Sequence, residues 1–283
     1  GAGCASLTVA NDLLPMGYEV VIYEQYDLTG GLMRTNIPAF RLPASVLDDE
    51  ISMIVEMGVD LRLGQRIDSL ASLLEEDFDA VFIGSGAPRG KNLDIPGRYD
   101  SDRIHIGIDW LESVAFDHTE TIGEQVLIIG VGNTAMDCCR TALRLGGKQV
   151  KVMARKPRGY FKASEWELED AEEEQVEIVV NHSPREFVIS DGKLVGMQFD
   201  VFEYHTDETG ELRQEQVGDA FFPADDIILA IGQETAFPWI ERDIGIEFGE
   251  WDMPVVDRTT FQTTREGVFV GGDAAWGPEN IIW

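Results

Sequence analysis

Two short glycine-rich turns, "GAGCAS" from Gly1 and "GVGNTA" from Gly130, constrain this chain more than any other feature. After the first, Leu7, Val9, Ala10, Leu13 and Leu14 recur at helical spacing and Gly17 marks a stop. "EVVIYE" then reads as a short strand ending in Glu24. The second turn keeps the strand in front of it, residues 126–129. A helix is predicted over 136–145, closed by Gly146 and Gly147, and 151–154 reads as the next strand. Turn, helix and strand in this order form the unit that holds a dinucleotide. Glycines let the backbone close on a pyrophosphate, and the helix N-terminus adds partial positive charge.

The two units differ in the residue that comes after the second strand. Glu24 supplies a carboxylate that accepts from ribose hydroxyls, which suits a free ribose such as that of the ADP half of FAD. Ser6 stands for the third glycine there and is small enough for close helix–strand packing. In the second unit Gly130, Gly132 and Ala135 make G-x-G-x-x-A, and no acid comes after it: "ARKPR" places Arg155, Lys156 and Arg158 at that point. A carboxylate repels a 2′-phosphate, whereas arginine binds it through a fork of charged hydrogen bonds. NADPH is therefore expected over NADH. With Lys162 these cations form a basic exception in a chain of net charge −30, the plain alternative being a solvated basic turn. One resident and one exchanging dinucleotide imply hydride transfer between nicotinamide and flavin, which asks for no protein acid or base. No catalytic residue is expected.

Residues 79–87 and 225–233 are apolar strands ending in glycine, and "GMQFDVFEYHTDETGELRQEQV" alternates and turns at "DETG" as a β-hairpin does. The strand that should precede Gly1 is missing, and the chain stops at Trp283 where a helix is due to start, so a chain truncated at both ends is expected.

Composition excludes several classes. No apolar run approaches the ~20 residues that span a bilayer. The 52 acidic against 22 basic residues disfavour nucleic acid and read as a well-solvated acidic surface. Cys4, Cys138 and Cys139 contain no C-x-x-C, and the four histidines are scattered, so no metal site is expected. A [4Fe–4S] cluster needs four thiolates, which this chain lacks. Adjacent cysteines within a helix also argue against a thioredoxin-reductase-like dithiol, and a reducing cytoplasm is expected.

With "GGLMRTNIPAFRLP", "GVGNTAMD", "ARK" and "VFVGGD" in view, the chain resembles the FAD- and NADPH-binding module of the glutamate synthase small (beta) subunit. The same module forms part of the N-terminal half of dihydropyrimidine dehydrogenase. The resemblance implies an α/β fold of two Rossmann-like domains, pyridine nucleotide-disulfide oxidoreductase-like, with the NADPH domain (96–233) inserted into the FAD domain (1–95 and 234–283). It assigns Gly1, Gly3, Ser6 and Glu24 to the FAD phosphate turn and ribose acid, and Gly30, Gly31 and Leu32 to a loop along the flavin. Arg41, Gly86, Gly272 and Asp273 join the FAD contacts, and Pro278 of "GPEN" leads a helix N-terminus toward the flavin's N1–C2=O edge. For NADPH it assigns Gly130, Gly132, Asn133, Thr134, Arg155, Lys156, Lys162, Ala230 and Gly232. It further implies electron transfer from NADPH through FAD to iron–sulfur clusters of a missing domain or a larger partner subunit. Other multi-subunit oxidoreductases, and a docking subunit without catalysis, are the alternatives. Cys4 and Ser6 depart from the family's usual proline and glycine.

Overall fold

The computed structural model describes residues 1–206, 210–279 and 281. The chain forms two compact units: Gly1–Arg89 together with Gln233–Trp283, and Gly90–Gly232. The second unit thus interrupts the first in the chain. The expected domain start at 96 falls inside it, because Leu93 and Ile95 pack into its core and the Pro96 carbonyl accepts from the Phe187 amide at 2.9 Å.

In the first unit, helix α1 (Cys4–Leu13) follows the first glycine turn and leads through a 3₁₀ turn to strand β1 (Val21–Tyr23). Gly17 closes that turn in the left-handed region. Helices α2 (Leu32–Thr35) and α3 (Ala44–Val55) precede β2 (Asp60–Arg62), which pairs parallel with β1. Leu7 and Ala10 of α1 pack with Ile22, Leu47 and Ile51, so the apolar spacing read from sequence becomes one core cluster. Helix α4 (Leu70–Leu73) and β3 (Val81–Ile83) complete this stretch.

The second unit is built on a five-stranded parallel sheet. It begins with β4 (Ile104–Ile106) and helix α5 (Gly107–Ala115). Strand β5 (Gln125–Ile129), helix α6 (Asn133–Arg144) and strand β6 (Gln149–Met153) carry the second glycine turn. Helix α7 (Glu165–Glu173) leads to β7 (Glu177–Val179). An antiparallel sheet comes next, made of β8 (His182–Ser190), β9 (Lys193–Thr206) and β10 (Leu212–Pro223). Residues 207–209 of the turn expected at "DETG" lie outside the described residues. Strand β11 (Asp226–Leu229) returns to the parallel sheet, whose order is β4-β11-β5-β6-β7.

Strands β5 and β11, both inside this sheet, read as unbroken apolar runs at 126–129 and 227–229 because both of their faces are covered. Val126, Ile128, Val150, Val152 and Ile228 face helices α5 to α7, packing with Trp110, Met136, Cys139 and Leu168. Leu127, Ile129, Met153, Ile227 and Leu229 face the antiparallel sheet, packing with Phe187, Met197 and Phe199. A strand buried on both faces has no polar side to alternate with. The chain then re-enters the first unit, where β12 (Val268–Val270) pairs parallel with β3 and leads into helix α8 (Asp273–Trp276).

One contact fixes the second turn. Gly130, at φ 123°, lies against the end of β11, and a Cβ there would collide with the Ala230 carbonyl oxygen. Backbone meets backbone, so no side chain can swing away. Gly130→Val is expected to cost at least about 2 kcal/mol through left-handed strain and that collision, read as a lower melting temperature in calorimetry.

Candidate dinucleotide sites

In the first unit the carboxyl end of β1 places Glu24 beneath the opening turn. Its side chain is buried; Oε2 accepts from the Ala2 amide at 2.6 Å and Oε1 from the Tyr26 amide at 3.0 Å. Gly1 lies beside this carboxylate and the end of β3: a Cβ on it would sit 3.5 Å from the Gly84 carbonyl oxygen and 3.7 Å from Glu24 Oε2. Gly3 is the N-cap of α1, and no side chain caps that helix. Ser6, on its first turn, packs directly over Gly84. Three separated stretches meet here. The Gly30 amide donates to the Ala2 carbonyl at 2.8 Å, and Gly31 (φ 53°) leaves so little room that a Cβ would lie 2.9 Å from Gly3 Cα. Gly272 abuts Ala5 of α1 and caps α8, whose first residue is Asp273.

Leu32 starts α2 directly after this junction. Gly86 follows β3 with open space around it, and the neighbouring Ser85 Oγ is buried with no hydrogen-bond partner among the described residues. Arg41 is half-buried in the loop before α3, its amide donating to the Pro38 carbonyl at 2.9 Å. Pro278 is exposed after α8; the helix start expected at "GPEN" reaches Asn280, which lies outside the described residues.

Asp273 is half-buried, and burial pushes its carboxyl above the usual aspartate range, against the opposing pull of the Glu279 amide, which donates to it at 3.2 Å. The same burial raises the nearby Cys4 thiol, and the Asp273 charge adds to that rise.

In the second unit Gly132 is the N-cap of α6, no side chain caps the helix, and nothing lies within 4 Å of where its Cβ would be. The Asn133 and Thr134 amides of its first turn have no acceptor among the described residues. Asn133 instead turns its Oδ1 to accept from the Ser164 amide at 2.9 Å. The basic loop closes over this turn, with the Lys162 and Ala163 amides donating to the Val131 carbonyl at 3.2 and 3.0 Å. Ala230 is buried where β11 passes Gly130, and Gly232 is exposed two residues on.

The four cations of the loop divide. Arg158 pairs with Glu165 at 3.0 Å and with Glu172, so its charge is engaged by α7. Arg155, Lys156 and Lys162 are exposed and have no carboxylate partner among the described residues. Lys156 Nζ lies 5.5 Å from the Tyr160 ring centroid. The sequence did not reveal the captured Arg158, because Glu165 and Glu172 pair with it only once α7 has formed.

Cys138 and Cys139 are fully buried in α6. Burial pushes Cys139 up to about 12 and Cys138 well above the usual thiol range, so neither supplies a thiolate. Among the described residues no cluster of His, Cys, Asp and Glu is arranged to hold a metal ion, and no helix is long and apolar enough to cross a membrane.

Both sites fit a dinucleotide. Each has an uncapped helix N-terminus behind a glycine turn, one with a buried carboxylate and an orphaned hydroxyl, the other with open space and unpaired cations. Fold and sites together define an α/β protein with two dinucleotide-binding units. The family model for "Pyridine nucleotide-disulphide oxidoreductase" matches residues 1–282, and the chain belongs to that family of FAD- and NAD(P)H-dependent oxidoreductases.

The chain is 34% identical over its whole length to the NADP(+)-dependent formate dehydrogenase subunit beta of Moorella thermoacetica, covering 41% of that protein. It is 33% identical to the glutamate synthase [NADPH] small chain of Halomonas elongata, covering 63% of it. With the NADPH-Fe(3+) oxidoreductase subunit beta of Geobacter sulfurreducens the values are 31% and 46%. The chain thus spans about half the length of these relatives. Among solved structures, Mycobacterium tuberculosis FprA in complex with NADPH superposes over 100% of this chain and 79% of its own, at a TM-score of 0.79 and 15% identity. Lactococcus lactis thioredoxin reductase superposes over 100% and 91%, at 0.72 and 19%. These two likenesses establish the fold alone.

A raised carboxylate carries a sign. The folded protein binds the Asp273 proton more tightly than the unfolded chain, so flavin-free protein loses stability as pH rises from about 3.9 through the raised value. Asp273→Asn is expected to flatten that segment of the melting-temperature profile, measured by calorimetry against pH.

Proposed function

We propose that this chain is an NADPH-to-FAD electron-transfer module, most like that of the glutamate synthase small subunit. One contrast supports the reading above all: a buried carboxylate ends the first unit's β1, while unpaired cations come after the second unit's β6. When bound, FAD would supply the chemistry of hydride acceptance and single-electron release.

The chain's own residues hold and exclude. Glu24 accepts from ribose hydroxyls while two backbone amides keep its carboxylate fixed. The uncapped amides of α1 and α6 receive pyrophosphate oxygens. Gly30, Gly31, Leu32, Arg41, Gly86, Gly272, Asp273 and Pro278 would border the flavin, with Asp273 able to accept a hydrogen bond from it. Arg155, Lys156 and Lys162 take the 2′-phosphate, and Thr134, Ala230 and Gly232 border the nicotinamide nucleotide.

The acceptor of its electrons would be [4Fe–4S] clusters in a further domain or a larger catalytic subunit. The relatives' printed names support a larger partner subunit, since they are the beta subunit of an NADP(+)-dependent formate dehydrogenase, a glutamate synthase small chain and the beta subunit of an NADPH-Fe(3+) oxidoreductase. The alternative is the FAD/NADPH module of a dihydropyrimidine dehydrogenase-like or other multi-subunit oxidoreductase.

Anaerobic mixing of the flavin-loaded protein with NADPH is expected to bleach its yellow absorbance within seconds. A folded protein that binds no flavin, or a bound flavin that stays yellow, ends the proposal and favours a docking subunit. Arg155→Glu is expected to raise the half-saturating NADPH concentration at least about tenfold and to leave that for NADH nearly unchanged; unaltered selectivity in steady-state kinetics removes Arg155 from the phosphate site.

A further inference from the structure

Arg155 is the first residue beyond the reach of the parallel ladder. The Ala154 amide still donates to the Val179 carbonyl at 2.7 Å, and the Ala154 carbonyl accepts from the His182 amide at 3.0 Å. One residue later the strand has ended, and the Arg155 carbonyl finds its partner elsewhere: the Tyr204 hydroxyl, at 2.6 Å, from β9 of the antiparallel sheet. We propose that Tyr204 is a positioning residue for 2′-phosphate recognition, its hydroxyl holding the main chain from which the Arg155 guanidinium projects. This rests on the NADPH assignment of the second turn.

The rest of the loop explains why such a hold matters. Its far end is pinned to the glycine turn through the Val131 carbonyl, and its middle is pulled toward α7 by the ion pairs of Arg158. Lys156 rests over Tyr160. Among the described residues, the Tyr204 hydroxyl is what fixes the start of the loop by a side chain from the other sheet. A guanidinium recognises phosphate through a rigid fork, so its origin must be set to a fraction of an ångström.

Tyr204 suits the task. Its hydroxyl also lies 3.2 Å from Gln214 Oε1, yet it carries one proton, and the nearer carbonyl takes it. Burial pushes the hydroxyl above the usual tyrosine range while the Arg155 charge pulls the other way, so it stays a donor through neutral pH. The ring is half-exposed, and the Arg155 carbonyl turns to water when the hydroxyl is removed, so the bond adds little to folding.

The full-length flavoprotein carrying Tyr204→Phe tests this by rapid-mixing flavin reduction with NADPH and with NADH. The half-saturating NADPH concentration is expected to rise about fivefold, with the limiting rate and the NADH value unchanged. In an Arg155→Ala background the same substitution is expected to add nothing, because it acts through that side chain. Independent, additive effects, an unchanged NADPH value, or equal weakening of both nicotinamides overturn the proposal. Wild-type protein that does not prefer NADPH overturns the phosphate site itself, and Tyr204's role with it, before any variant is made. If Tyr204→Phe loses flavin or melts early, Tyr204→Gln, which returns a donor, is compared with Tyr204→Leu; equal NADPH selectivity in that pair overturns the proposal.

Discussion

Backbone must touch backbone for this protein to exist. At Gly130 the main chain runs against the carbonyl of Ala230, and at Gly31 it runs against Gly3. Both approaches forbid a Cβ, and both sit beside a helix N-terminus that no side chain caps. Unpaired amides at the head of a helix are tolerable when water or a ligand answers them, and a phosphate answers them best. The fold is thus organised around two points where the chain is bare of side chains. Everything else sets what stands next to those points.

What stands there is a matter of charge. With 52 acidic and 22 basic residues, most cations have an acidic neighbour to find. Arg158 obeys that rule, and so does Arg140, which is nearly buried between Asp170 and Glu174. Arg155, Lys156 and Lys162 depart from it, and they do so together in one loop. Glu24 makes the opposite departure: a carboxylate removed from water and held by the Ala2 and Tyr26 amides, with acceptor capacity left over. The two units share a plan and differ in one sign.

Much of this was legible in the sequence because it is local. Spacing of Leu7 and Ala10 gives α1 its buried face, Gly17 ends the turn after it, and the apolar run at 126–129 is a strand with both faces covered. The helix of the second turn begins at Asn133, earlier than the apolar spacing indicated, because Asn133 and Thr134 are polar residues recruited to the first turn. Other features could not be read. Nothing in "ARKPR" says that Arg158 is captured by α7, or that the Arg155 carbonyl is claimed by a tyrosine 49 residues on.

By itself the sequence determined the identity of the two turns, the element order around them, and the contrast between Glu24 and Arg155, since each depends on a short stretch of chain read in order. Only the tertiary structure decided which cations stay unpaired, which carbonyl a hydroxyl holds, and that Gly30, Gly31 and Gly272 close on the same helix end. Those outcomes turn on distances of about 3 Å between residues far apart in the chain, and a one-dimensional pattern carries no such distances.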